Sequence, residues 1–439
     1  MTALSQIAEA APEESVAPLL RVAALVDLER GPNAGGHVQC WEKLAAALVR
    51  LGPLVDLSVH FSGREPATET LGPHVRFVSH RPAFSTARLP FLSHIPDDTD
   101  LAPYHRRLAA SLADVDVIHT TDAYFAFART ALGLSRRRGI PLVNSIHTDT
   151  PGYSRIFCAQ TMERVFGPGL GGVINRRLGV PDRIAAGMYR RLARHQAGCA
   201  FVLVSRDDEE ARARQVLPAS RVLKLRRGID RHVFSPTRRD RAWLHDSFGI
   251  PADRFVVLAV GRVDRGKNIL TLADAVRVLV DRGLPIVLVC AGRGADQAAV
   301  RSRLGDAAVL PGQLHRDVVA RLYAAADLFA MPSETEVFAN AVLEAMASEL
   351  PVLVAERSGM GRVLRDGRTG LIVRGPGPAP WAEAIAGLAA DRDRTRAMAT
   401  AARRASELLI PSWEQVLTQD LLPVWHAAAR QGSCSANVS

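Results

Sequence analysis

The sequence predicts an α/β protein made of two doubly wound, parallel-sheet domains. Three observations lead there. The chain has 439 residues, more than a single hydrophobic core usually organises. Short apolar, β-branched runs alternate with helical patterns along most of its length. The runs are close to continuously apolar, as strands are when helices cover both faces of their sheet.

In chain order, the first set of strands is read at Arg21–Leu28, Leu54–Phe61, Val115–His119, Pro141–His147 and Phe201–Ser205. The second set is Phe255–Gly261, Pro285–Ala291, Ala308–Leu310, Leu328–Met331, Pro351–Ala355 and Gly370–Val373. Gln39–Leu51, Leu270–Arg282 and Ala339–Ala347 carry the 3.6-residue apolar spacing of helices packed on those sheets. The join falls near Phe234-Ser235-Pro236, so the first domain is read as 21–236 and the second as 237–407. Residues 1–20 are expected to be a disordered lead.

Composition narrows the class. Apolar residues make up 48% and charged residues 23% of the chain, a globular balance. No apolar run approaches the roughly 20 residues that span a bilayer. No secretory signal is visible, and the five cysteines show no CxxC pairing. The expectation is a cytoplasmic protein. The formal charge of +10 is uneven: residues 101–200 hold 14 basic and 6 acidic groups. Only Lys43, Lys224 and Lys267 are lysines, against 52 arginines.

Ligands of doubly wound sheets sit at the carboxyl ends of strands, where helix N-termini point. Asn33-Ala34-Gly35-Gly36-His37 is the first such turn. Its glycines let backbone amides come close to an anion. In Gly261-Arg262-Val263-Asp264-Arg265-Gly266-Lys267, a guanidinium and an ammonium on one loop suit a diphosphate. In Pro332-Ser333-Glu334-Thr335-Glu336-Val337-Phe338-Ala339 and the helix after it, Glu336 and Glu344 lie eight residues apart. That is a little over two turns. Glu344, buried on an apolar helix, needs donors such as ribose hydroxyls. The amides of Phe338 and Ala339 would face phosphate oxygens.

The stretch PSETEVFANAVLEAMA, preceded by GRVDRGKN and followed by PVLVAERSGMGRVLRDGRTGLIV, resembles the donor-binding half of retaining GT-B glycosyltransferases of family 4. RRGIDRHVFSP is similar to that family's interdomain segment. SWEQVLTQDLL is similar to its C-terminal helix, here 408–432, which crosses back onto the first domain. The resemblance implies two Rossmann-like domains facing across a cleft, the first binding acceptor and the second binding a nucleotide-sugar donor. It implies that Arg262 and Lys267 hold the diphosphate, Glu344 the ribose, and Glu336 the transferred sugar. Gly35, Gly36, Val337, Phe338 and Ala339 would line the phosphates and sugar, and backbone near Leu314 the base. Val337 and Ala339 stand where the family favours glycine, and Glu349 replaces another glycine.

Val117-Ile118-His119-Thr120-Thr121-Asp122 resembles the family's strand ending in H-x-H, with Thr121 in the second histidine's place. His119 and Asp122 are therefore the first domain's catalytic candidates, beside Glu336. Ser145 to Tyr153 resembles a segment of lipid- and polysaccharide-directed members, making His147, Asp149 and Tyr153 acceptor candidates.

The expected reaction is retaining transfer of a hexosyl group from a nucleotide-diphosphate sugar to a lipid, lipid-linked or polysaccharide acceptor. No cofactor or metal is called for, and neither Asp114-Val115-Asp116 nor Gly292-Arg293-Gly294 is read as a binding motif. The alternatives are a non-catalytic nucleotide-sugar-binding homologue and a nucleotide-sugar hydrolase or epimerase. Ser154 to Gly198 interleaves eight arginines with apolar residues, which fits peripheral contact with an anionic membrane's inner face. An ordinary Arg-rich solvated surface is the alternative. No nucleic-acid-binding module is seen, and the oligomeric state is left open.

Overall fold

The computed structural model describes residues 18–31, 34–92, 98–334 and 340–436. Two separate sheets form. The first contains β1 (Arg21–Glu29), β2 (Asp56–Ser62), β3 (Ala67–Gly72), β4 (Val75–His80), β5 (Val117–Thr120), β6 (Leu142–Ser145), β7 (Phe201–Val204) and β8 (Val222–Lys224), in the order β3-β4-β2-β1-β5-β6-β7-β8. The second contains β9 (Phe255–Val260), β10 (Ile286–Ala291), β11 (Ala308–Gly312), β12 (Leu328–Met331), β13 (Val352–Ala355) and β14 (Gly370–Val373), in the order β11-β10-β9-β12-β13-β14. All pairings are parallel except β3 with β4.

Each strand read from the sequence forms, with ends shifted by up to two residues. β3, β4 and β8 were not anticipated. β3 is a polar edge strand, largely exposed, and β8 has three residues, so neither presents a two-faced apolar run. β1 shows why the central strands were legible. Val22, Ala24 and Val26 pack into one core cluster while Ala23 and Leu25 enter the cluster on the opposite face. Period-two alternation is invisible when both faces are buried.

The C-terminal segment joins the two halves. After Trp413–Val416 the chain passes through a π turn, Leu417–Leu421, into Leu422–Ala436. Trp413, Val416, Leu417, Leu421, Trp425 and Ala428 are buried in the first domain's core together with Trp41, Leu44 and Leu48 of the Gly36–Leu51 helix. Arg226 clamps Asp420, donating from its backbone N at 2.9 Å and from its guanidinium.

In both sheets the strand order reverses at the first strand of the domain. β1 lies between β2 and β5, and β9 between β10 and β12. Crevices open at such points. The turns after β1, β5, β9 and β12 are therefore the ones to examine.

Candidate active site

The loop after β9 is shaped by its neighbours. Gly261 adopts φ +136, and the Asp264 side chain caps a short 3-10 turn, Arg265–Lys267, by accepting from the Lys267 amide at 3.1 Å. Arg262 Nε lies 3.1 Å from Asp264 Oδ2. Asn268 is left-handed (φ 53), a conformation asparagine tolerates, and turns the chain into the Ile269–Asp281 helix. Gly292-Arg293-Gly294, set aside above as a nucleotide turn, supports this loop. A Cβ on Gly292 would stand 1.8 Å from the Gly261 oxygen, and one on Gly294 2.1 Å from the Val263 oxygen. The Val263 amide donates to the Arg293 oxygen. Glycine at both positions lets two backbones touch.

The loop after β12 meets the same turn. Ser333 Oγ donates to the Gly266 oxygen at 3.2 Å, and Asn268 Nδ2 to the Pro332 oxygen at 3.4 Å. Glu336, Val337, Phe338 and Ala339 lie outside the described residues. The helix Asn340–Ala347 follows, and its first residue faces the other domain: Asn340 Nδ2 is 3.2 Å from where a Gly36 Cβ would be. Nothing would meet a Cβ on Gly35 within 4 Å, so that glycine opens onto free space. The N-termini of the Gly36–Leu51 and Asn340–Ala347 helices thus approach one another across the cleft. The Gly36–Leu51 helix directs its positive end into it.

Glu344 is largely but not fully buried, and its partner was not anticipated. Lys43, which had no role in the sequence reading, reaches across from the first domain to place Nζ 3.3 Å from Glu344 Oε1. The Lys43 ammonium also stands over the Trp413 ring, 5.7 Å from its centroid. Tyr323 lies against the same carboxylate. Burial first, and then the Glu344 charge, hold its phenol protonated. Leu314 packs on the core of the second domain beside β11.

On the first-domain side, His119 is fully buried at the end of β5 rather than open to the cleft. The Trp425 indole donates to its Nδ1 at 2.9 Å. An indole N–H can only donate, so His119 carries its proton on Nε2 and donates to Ser145 Oγ at 2.9 Å. Ser145 then donates to His147 Nε2 at 2.7 Å. Burial pushes His119 down to about 3, which keeps this relay neutral. At its far end the His147 ring stacks on His37, with centroids 4.5 Å apart and planes 5° from parallel.

Asp122 and Asp149 have structural work to do. Asp122 Oδ1 accepts from the amides of Tyr124 (2.7 Å) and Phe125 (3.2 Å), just before the Ala126–Arg138 helix. Burial raises its carboxyl. Asp149 caps the Thr150–Arg176 helix through the Gly152 amide and accepts from the Tyr189 hydroxyl. Tyr153 stacks on Phe157.

The basic segment forms a helical hairpin. Gly167 (φ 76) breaks Thr150–Arg176, and the chain doubles back so that Asn175 Nδ2 donates to the Ala159 oxygen at 3.0 Å. At the tip Val165, Phe166 and Leu170 are 51%, 47% and 57% exposed. Arg164, next to Val165 in the chain, is exposed there too, and the exposed Arg176, Arg177 and Arg190 lie further along the hairpin. Among the described residues, no helix is long and apolar enough to cross a membrane.

Two parallel-sheet domains facing across a cleft, with basic loops and helix N-termini meeting in it, define the GT-B class of glycosyltransferases. The models of known families agree. Residues 34–261 match Glycosyltransferase Family 4 and residues 254–391 match Glycosyl transferases group 1. The chain belongs to glycosyltransferase family 4. It is 29% identical to the D-inositol 3-phosphate glycosyltransferase of an Arthrobacter species, over 93% of this chain and 99% of that one. Among solved structures, sucrose-phosphate synthase from Thermosynechococcus elongatus superposes with a TM-score of 0.65 at 21% identity, covering 95% of this chain and 99% of that one. Anabaena HepE, solved in complex with UDP, gives 0.61 at 16% identity, covering 96% and 100%.

Proposed function

We propose that this glycosyltransferase moves a hexosyl group from a nucleoside-diphosphate sugar to a lipid, lipid-linked or polysaccharide acceptor, with retention at the anomeric carbon. The observation that carries the reading is the convergence in one cleft of the Arg262–Lys267 loop and two facing helix N-termini. Such a cleft suits a diphosphate, whose charge grows as it leaves. The UDP held by HepE, a structure of the same fold, supports a nucleotide donor.

In this reading Arg262 and Lys267 hold the diphosphate, and the glycine turn closes on it from the other domain. Glu344 takes the ribose hydroxyls once donor binding draws it from Lys43, and Glu336 and backbone near Leu314 face the sugar and the base. The acceptor oxygen bonds to the anomeric carbon on the face from which the phosphate oxygen departs. Its proton passes to that departing oxygen. His147 and Tyr153 border the acceptor side, whereas His119 acts through Ser145 and His147 as a positioning residue.

The hairpin tip supports a lipid-borne acceptor. Exposed apolar side chains at the tip of an arginine-rich hairpin match an anionic bilayer surface, with Phe166 and the aliphatic groups entering the interface and the guanidinium groups meeting head groups. The D-inositol 3-phosphate glycosyltransferases it resembles act, by name, on a small polyol phosphate, so acceptor choice is the point to test.

A thermal-shift screen against UDP-, GDP- and ADP-sugars reads donor choice directly. Lys267→Ala should then remove most transfer, and near-normal turnover by that variant would overturn the assignment. Co-sedimentation with phosphatidylglycerol vesicles should exceed that with phosphatidylcholine and fall in Phe166→Glu/Leu170→Glu. Equal binding to both vesicles would sink the membrane part alone.

A further inference from the structure

Arg227 is 5% exposed, and buried arginines are normally paired with a carboxylate. This one is not. Its Nη1 donates to the Cys40 sulfur at 2.8 Å, and no carboxylate pairs with it among the described residues. Burial raises the Cys40 thiol, so the sulfur is neutral and supplies no counter-charge.

Two imidazoles share the neighbourhood of this guanidinium. Its charge, after burial itself, helps hold both His37 and His147 neutral, His37 at about 3. Each ring leaves one buried nitrogen without a partner, Nε2 of His37 and Nδ1 of His147. His147 is 7% exposed. The relay from Trp425 fixes what its free nitrogen is. Since Nε2 accepts from Ser145, the neutral ring's proton is on Nδ1, an unanswered donor. His37, the residue after the glycine turn, lies in the first turn of the Gly36–Leu51 helix, whose positive end adds to the same field.

A buried cation, an unanswered N–H and a helix start, with no acid among them, are complementary to an anion. We propose that Arg227, His37 and His147 form an oxyanion subsite on the first-domain wall, which takes a phosphoryl group of a substrate. This deepens the glycosyl-transfer reading and rests on it for the phosphoryl group's source. The source is either the donor diphosphate or a phosphate attached to the acceptor.

The test uses the full chain and thermal melting with inorganic pyrophosphate. Wild type should be stabilised in a dose-dependent way. Arg227→Met should melt at the same or a higher temperature without ligand, because a costly buried charge is gone, and should need at least tenfold more pyrophosphate for the same shift. Should that variant fail to fold, His147→Phe keeps the stacked ring and removes the Nδ1 donor. It should weaken the response several-fold. No stabilisation of wild type overturns the subsite, as does an undiminished response in a folded Arg227→Met or His147→Phe. An Arg227→Met that melts well below wild type and keeps its response assigns the arginine to structure alone. Repeating the titration with saturating UDP, GDP or ADP separates the sources: competition indicates the donor diphosphate, and additivity a phosphate on the acceptor. A wild type that ignores all three nucleotides yet answers to pyrophosphate would refute the nucleotide-donor reading and leave the subsite standing.

Discussion

Replacing Trp425 by phenylalanine isolates the contact by which the C-terminal helix governs the first domain's histidines. Trp425 is fully buried, and its Nε1 is the donor to His119 Nδ1 at 2.9 Å. Two costs follow. Losing the indole's second ring leaves a small cavity, on the order of 1–2 kcal/mol. Leaving the buried His119 acceptor unanswered adds about 1–3 kcal/mol. Trp41 supplies a matched control: it is equally buried in the same cluster and touches His119 edge-on, but its own Nε1 has no hydrogen-bond partner. Trp41→Phe should therefore cost only the cavity. Urea unfolding at pH 7.5 should show Trp425→Phe less stable than Trp41→Phe by about 1–3 kcal/mol. His119 freed from the indole can also take the other tautomer, so transfer in Trp425→Phe should fall in kcat and shift its pH profile, whereas Trp41→Phe should keep the wild-type profile. Equal stability of the two variants, or indistinguishable profiles, would refute the relay.

Acid should destabilise the fold. Burial lowers His37 and His119 to about 3 and His80 and His195 to about 4, so below pH 6.5 the unfolded chain binds protons that the native one refuses. Each contributes stability that is present near neutrality and lost as pH falls, up to about 2 kcal/mol at pH 5. Asp27 and Asp122, raised by burial, oppose this in part. Urea midpoints that stay flat or rise from pH 7.5 to 5 would refute the sum. Gly294→Ala, with its Cβ directed at the Val263 oxygen, should cost about 1–3 kcal/mol. It should also weaken nucleotide binding by displacing the Arg262–Lys267 loop, which calorimetry would register. Glu349 is left-handed (φ 57), and its carboxylate accepts from the Thr400 hydroxyl at 2.7 Å. Glu349→Gly should relieve the backbone for a gain of about 0.5–1 kcal/mol, and a lower melting temperature would show that the Thr400 bond outweighs the strain.

The roles read from the residues rest on local chemistry. Gly261 to Lys267 reads as a phosphate loop because the ligating groups and the turn residues are adjacent in the chain. Glu344 was marked as a carboxylate in need of a partner because an acid amid Ala, Val, Leu and Met has to be answered. The edge strands β3 and β8 went unread because they carry no apolar run, and β4, inside the sheet, because Arg76, Ser79 and His80 interrupt its short apolar stretch. His119 shows a different limit. A histidine at a strand end looks the same in sequence whether it opens to a cleft or is held by a tryptophan 306 residues away.

The sequence by itself determined the two doubly wound halves, their order, the positions of their switch-point turns and the cationic loop of the second domain. Periodicity and turn chemistry act over a few residues and leave a direct trace. Only the tertiary structure decided that Lys43 answers Glu344, that Gly292 and Gly294 brace the Arg262 loop, that Trp425 sets the tautomers of His119 and His147, and that Arg227 is buried with no carboxylate partner among the described residues. Those pairs are far apart in the chain, and each depends on how two domains and a crossing helix are packed. No spacing rule encodes such meetings, because their energy comes from burial and hydrogen bonding that exist only once the cleft is assembled.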